Sequence, residues 1–320
     1  MKNLLSSFIL LLLMISFVFI LLKIAPGDPS LKYVSPELAP ELRTKVQESF
    51  GLNKPITEQY FLYIKNVFTG NLGISYTYNL PVTEVIKRFL PFTILFGAAA
   101  FLVQILFAFL LTYFSLLKNN RIYSILNGAS LFIYSIPTFV LGVFLIYIFC
   151  EKLGMLPSSG ITSLNSDSFS LLTLMADYFL HLLLPLITIS LGGIALFYRY
   201  IRENVNEITN KNYIFMFNSF GLGRKEIILK HIIPNAISPL ISIAGVELGI
   251  LLSGVLITEI IFSLPGMGSL TLSAVNSRDY PLAAACTLIS GIIIIVSNLL
   301  ADLIKKAIDP RIKAGIPDAL

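Results

Sequence analysis

An all-α protein with six membrane-spanning helices is what this sequence predicts, and three observations carry the prediction. The chain has 320 residues, 56% hydrophobic and only 13% charged. Soluble domains run at about 25% charged, so a water-soluble fold of this size would lack polar surface. The apolar residues gather into six runs at about 4–24, 92–116, 123–150, 180–201, 236–262 and 282–304, each near the roughly 20 residues a spanning helix needs. The basic residues sit mainly at the ends of these runs, so the net charge of +5 speaks of membrane orientation, not of nucleic acid.

Span 1 follows Lys2 and runs apolar from Leu4 to Leu22. That is longer than the 7–15 residues of a signal-peptide core, and "KIAPGDP" behind it is no small-x-small cleavage site. We read 1–24 as an uncleaved first span. Residues 25–91 form an external segment with helical spacing in "PELAPELRTKVQESFGL" and "ITEQYFLYIKNVF" and a turn-rich "TGNLGISY". "PVTEVIKRFLPFT" then reads as an amphipathic helix leading into span 2, with Thr83 as its cap. In span 3, Pro137 of "SIPTF" removes a backbone donor in mid-run and predicts a kink.

The short connections orient the bundle. Lys118 and Arg121 lie between spans 2 and 3, and Arg199, Arg202, Lys211, Arg224, Lys225 and Lys230 lie in or beside the connection between spans 4 and 5. Lys305, Lys306, Arg311 and Lys313 fill the 305–320 tail, against only Lys152 and Arg278 in the short connections of the opposite side, where the 25–91 segment is too long for its basic residues to count. The positive-inside rule places both termini and the 202–235 connection in the cytoplasm.

That connection holds "NSFGLGRKEIILKHIIPNAISP" (218–239), a short charged helix between two apolar spans. Ile228, Leu229, Ile232 and Ile233 share one side, while Glu226 and Lys230 pair at i,i+4 on the other. Gly221 and Gly223 allow a sharp turn before it, and Pro234 redirects the chain into span 5. Ahead of it Tyr213, Phe215, Met216, Phe217 and Phe220 stand in what reads as a water-facing loop, which points to a protein partner or a lipid surface.

Gly221, His231 ten residues on, and then "IIPN" together resemble the cytoplasmic coupling loop of ABC importer permeases. "APGDP" (25–29), "FGLNKP" (50–55), "GNLGIS" (70–75), "LPFT" (90–93), "SIPTF" (135–139), "GMLPSSG" (154–160), "TEIIFSLPGMG" (258–268), "RDYPL" (278–282) and "DPRIK" (309–313) resemble the peptide/nickel branch of that family, in the family's order. The resemblance implies a type I importer permease fold, with residues 92–304 as a five-helix core, in a bacterial or archaeal cell membrane. It implies four kinds of partner: a second homologous permease, two cytoplasmic ATPases that carry the ATP and Mg, an extracytoplasmic substrate-binding protein, and membrane lipid. The coupling-loop residues it implies are Tyr213, Phe217, Gly221, Arg224, Lys225, Ile228, His231, Pro234 and Asn235, with Ile228 and Ile232 among the contacts to the ATPase. The chain departs from the family where Phe215-Met216-Phe217 stand in place of a Glu-Ala-Ala triplet, and in lacking doubled arginines near the N-terminus.

Chemistry is not what the residues predict. Cys150 and Cys286 sit in apolar context, His181 and His231 in unrelated settings, and no ligand cluster or GxxxxGK[ST] motif is present. We expect no cofactor or metal in this chain and no catalysis by it. Two acids fall inside span 5, Glu247 and Glu259. A carboxylate at mid-bilayer costs a few kcal/mol, so such groups face a bundle interior or a wet path. Glu259 reads either as path-lining or as a cap beside "SLPGMG"; Glu247 either lines the path toward a cation or pairs with Gln104 or a partner permease. Arg278, Asp279 and Tyr280 either receive the binding protein or cap span 6 through Asp279. The cargo reads as di- or oligopeptides, with nickel or a metal chelate as the alternative. A lone ion-coupled secondary transporter is more remote, since no internal repeat is visible.

Overall fold

The computed structural model describes residues 2–24, 54–117 and 120–308. Within them the chain is helical: α1 (Lys2–Ile24), α2 (Ile56–Phe68), α3 (Val82–Leu117), α4 (Asn120–Ser135), α5 (Thr138–Ile146), α6 (Leu171–Thr209), α7 (Asn212–Ser219), α8 (Arg224–Ile227), α9 (Ile233–Ser253), α10 (Leu256–Ile261), α11 (Met267–Asn276) and α12 (Tyr280–Ile308). Among the described residues five helices are long and apolar enough to cross a membrane: Leu5–Ile24, Val82–Leu116, Leu171–Thr209, Pro239–Ile261 and Tyr280–Ala307. Arg121–Ser135 with Thr138–Lys152 makes a sixth when the pair counts as one span.

That pair is bent by 97°, far more than the kink expected of Pro137. Pro137 has no N–H to continue the helix, and its carbonyl instead starts α5 by accepting from Val140 N and Leu141 N at 2.9 and 3.2 Å. The lead-in to span 2 is not a separate helix either. It is the first part of α3, which runs unbroken through Pro91. Thr83 is therefore the second residue of a helix that opens at Val82, not its cap. Span 5 is interrupted at Gly254, whose φ of 113° ends α9 before the one short turn of α10. The helix expected over "PELAPELRTKVQESFGL" lies outside the described residues. The one over "ITEQYFLYIKNVF" is α2, laid against α1 by Phe19 packing on Tyr60 and Tyr63 and by Ser16 Oγ to Tyr60 Oη at 2.6 Å.

Close approach, not greasiness, holds the spans together, as expected where lipid is as apolar as leucine. Gly245 and Gly249, four residues apart on α9, face α12. A Cβ on Gly245 would stand 2.3 Å from the Ala301 Cβ, and one on Gly249 3.1 Å from the Ile294 Cα. Gly97 on α3 lies so near the Leu251 carbonyl that a Cβ would sit 2.7 Å from its oxygen. α6 packs along α3, and α1 rests on α12 through Ile15, Val18, Ala284 and Leu288. At one end of the bundle Phe197, Tyr198, Ile201, Val205 and Ile208 of α6 form an apolar cluster that the α7–α9 segment covers.

Candidate functional site

The α7–α9 segment begins where α6 ends. Ile214 of α7 and Ile227, Ile228 and Ile232 of the following helix are all buried in the α6 cluster with Ala236 and Leu240. Between the two helices the chain reverses at Gly221, φ 77°, with Gly221 N and Leu222 N donating to Asn218 O and Phe217 O at 3.0 and 3.3 Å. A positive φ there favours glycine, so the expected turn stands at the expected residue. Gly223, at φ −64°, has no such need.

Aromatic rings fasten the reversal. Phe217 lies 4.2 Å from the His231 ring, centroid to centroid, and 6.0 Å from that of Tyr213. Arg224 donates to Leu116 O at 2.9 Å, satisfying a carbonyl in the last turn of α3. Lys230 pairs with Glu226 at 2.7 Å, as their spacing predicts, and that ammonium holds the Glu226 carboxyl below the usual carboxylate range. Lys225, Pro234 and Asn235 are exposed. Pro234 does not break the helix. Arg224–Ile227 continues through a wide π turn at Ile228–Ile232 into α9, which carries Pro234 in its first turn.

One expectation is overturned in detail. Ile228 and Ile232, expected to meet a partner, are 3% and 4% exposed and face the α6 cluster. The end of α6 is apolar and needs cover, and two isoleucines at i,i+4 supply it. Leu229, grouped with them by sequence, points the other way. The outward surface is Phe215, Phe220, Leu229 and Met216, at 76%, 72%, 51% and 47% exposed. Tyr213 and Phe217 are half-buried.

In span 5 the two acids part company. Glu259, 1% exposed, accepts from Ser269 N at 2.8 Å and Val255 N at 3.2 Å. It sits at the start of α11, where unpaired N–H groups favour an anion. Gly266 and Gly268 make the room: a Cβ on either would come within 2.2 and 2.9 Å of the carboxylate. Thr93 Oγ1 accepts Met267 N at 2.8 Å beside it. Every one of these contacts is a cap's contact, and none leads to open space. Glu247 is half-exposed on α9, with the Gln104 side chain of α3 beside it. Gln104 is fully buried over Gly193, donates through Nε2 to Ile189 O at 3.2 Å, and leaves its Oε1 without a partner.

At the opposite end, Asp279 is fully buried and cannot meet an incoming protein directly, so the docking role given to it is corrected. It accepts from Ser75 Oγ at 2.5 Å, Thr77 N at 3.0 Å and Leu282 N at 3.3 Å. It therefore caps α12 and ties the loop before α3 to it. Arg278 is exposed, and Tyr280 lines a groove with Phe19, Lys23, Gln59 and Tyr63. Sequence reading missed Ser75, Thr77 and Thr93, whose partners lie some 200, 200 and 170 residues away (204, 202 and 174 by position) and leave no local signal. His181 bonds back to Asp177 O at 2.9 Å within α6, and the Asp177 carboxylate accepts from Ser163, which ties the preceding connection to that helix.

Residues 104–314 match the family described as the inner membrane component of binding-protein-dependent transport systems, and residues 1–97 match the N-terminal family of the same components. The chain is 32% identical over 318 residues to a probable peptide ABC transporter permease of Sinorhizobium fredii, covering 98% of both. It is 32% identical to an oligopeptide transport system permease of Bacillus subtilis, covering 92% of both. It is also 30% identical to a glutathione transport system permease of Pectobacterium atrosepticum, covering 98% of this chain and 97% of that one. Among solved structures, an inward-facing form of the MetNI methionine ABC transporter matches at TM-score 0.57 and 14% identity, over 72% of this chain and 98% of that one, which is a likeness of fold.

Proposed function

This chain belongs to the family of inner-membrane components of binding-protein-dependent transport systems, and from that premise we propose that it is the permease subunit of an ATP-driven importer of di- and oligopeptides. A second permease completes the membrane path, two cytoplasmic ATPases hydrolyse the ATP, and an external binding protein delivers the cargo. Both termini lie in the cytoplasm, in keeping with the basic residues at the ends of the spans. The relatives compared above are named for peptides and glutathione, so nickel is kept only as an arm of the test.

One observation carries the coupling role: four large apolar side chains, Phe215, Met216, Phe220 and Leu229, are exposed on a segment whose inner side, Ile214, Ile227, Ile228 and Ile232, is buried in the α6 cluster. Large apolar groups exposed at a water-facing end of a membrane bundle mark a protein contact. The segment is stiff where a lever must be stiff. Its base is buried in the α6 cluster, and its second arm is one helical path from Arg224 to Ser253. Closure of the ATPases around the tip moves that arm, and with it α12, packed against Gly245 and Gly249.

Uptake of a labelled dipeptide, a labelled pentapeptide and radioactive nickel, in cells with and without the gene, tests the reading. Loss of peptide uptake alone is the expected result. Loss of nickel uptake alone overturns the cargo.

A further inference from the structure

We propose that Glu247 is the residue of this chain that recognises a positively charged group on the cargo as it crosses the membrane. The inference rests on the importer reading above and deepens it. Glu247 stands near the middle of the Pro239–Ile261 span, half-exposed, on the side of α9 that borders α3. Among the described residues no lysine, arginine or histidine pairs with it. The neighbour beside it is the neutral Gln104. An acid at that depth has three possible surroundings: lipid, a packed interior, or a wet path between subunits. Lipid is the most unfavourable. A packed interior would enclose it with donors, as happens to Glu259 twelve positions on. Glu259 is 1% exposed with two backbone N–H groups on its carboxylate, whereas Glu247 keeps an open side.

The support behind Glu247 is built. Gln104 is fully buried and lies directly over Gly193, where a Cβ would stand 2.1 Å from the amide carbon. Its Nε2 donates to Ile189 O, which fixes the side chain beside the carboxylate. Its Oε1 is buried with the rest of the amide, so Gln104 is a neutral packed neighbour and the exposed acceptor at this place is the Glu247 carboxylate. A carboxylate with an open side and no cationic partner forms a half-site for a cation with N–H donors. The α-ammonium of a peptide and the side-chain ammonium of a basic peptide share that chemistry. In a low-dielectric passage one opposite charge discriminates strongly.

The test uses the whole importer reconstituted in liposomes with ATP inside and saturating peptide-loaded binding protein outside, so that capture selectivity drops out. Four cargoes are compared: a neutral tripeptide with a free amino end, its N-acetylated form, an N-acetylated tripeptide carrying one lysine, and Ni²⁺. We expect E247Q to slow uptake of the first, the third or both by about tenfold relative to the N-acetylated neutral peptide, and E247D to restore it. Which of the two falls tells the α-ammonium from the side-chain ammonium. Equal loss on all peptides, or no loss, overturns the proposal while leaving the peptide importer standing. If the wild-type importer carries only Ni²⁺, the peptide reading fails. The cation site then stands or falls by whether E247Q slows nickel. Should E247Q not assemble, wild-type uptake indifferent to the cationic group overturns the proposal on its own.

Discussion

The Asp279 carboxylate accepts the Ser75 hydroxyl at 2.5 Å across 204 residues of chain, with both groups fully buried. It also caps α12 through Leu282 N and holds Thr77 N. One side chain thus locks the loop before span 2 to the start of span 6. Hydrogen bonds to a buried charge contribute about 1.5–3 kcal/mol each. Asp279→Ala should lower stability by about 3 kcal/mol, read as a drop in the melting temperature of the detergent-solubilised protein. Ser75→Ala should cost about 1–2 kcal/mol, and the double variant less than the sum, because the two share one interaction. Strict additivity would mean the contact is not made.

The α9–α12 seam makes a sharper prediction. Gly245→Val drives a side chain into Ala301, since even a Cβ would stand at 2.3 Å. Overpacking of this kind costs about 1–3 kcal/mol, and we expect loss of monodisperse protein on size exclusion. Gly192 is the control. It lies in α6 with nothing within 4 Å of a Cβ, so Gly192→Ala should elute as wild type. Equal behaviour of the two variants would remove the seam from the account.

At the coupling tip the structure separates residues that sequence grouped together. Phe215→Asp and Phe220→Asp change exposed side chains. They should leave the permease folded, yet sever ATP hydrolysis from uptake, with ATPases lost from the copurified complex. Ile228→Asp and Ile232→Asp put a charge into the buried α6 cluster and should cost several kcal/mol, seen as poor expression before any coupling defect. Gly221 sits at φ 77° in open space. Gly221→Asn should therefore couple normally, while Gly221→Val should not. Full uptake in the Phe215 and Phe220 variants would end the lever reading.

The spans and the reversal at Gly221 were legible in the sequence because each is a local signal. A run of apolar residues needs no partner to be recognised, and Gly221 announces a turn wherever it packs. What was not legible depended on partners. Pro137 announces a break, but the 97° between its two halves is decided by what α4 and α5 pack against. Ile228 and Leu229 are both apolar and adjacent, and only the cluster at the end of α6 determines which turns inward. Asp279 in "RDYP" looks like a surface acid until Ser75 arrives from 204 residues away. Glu259 and Glu247 share a span and a residue type, and their roles divide on whether backbone N–H groups surround them.

That division yields the last prediction. Glu259 holds α10 to α11 by accepting from Ser269 N and Val255 N, in a pocket that exists only because residues 266 and 268 are glycines. A role in folding predicts that size and shape matter as much as charge. Glu259→Gln keeps the shape but turns one acceptor into a donor aimed at backbone N–H groups, and should cost about 2 kcal/mol. Gly268→Ala keeps the carboxylate intact yet puts a Cβ 2.5 Å from the Leu256 Cα, and should be at least as damaging. Thr93→Val removes the acceptor for Met267 N and the hydroxyl beside the acid, and should cost about 1 kcal/mol. All three should shift thermal stability while leaving the charge preference among cargo peptides unchanged, the reverse of what E247Q should do. A Glu259→Gln permease as stable as wild type but altered in its cargo preference would place Glu259 on the path and dissolve the distinction between the two acids.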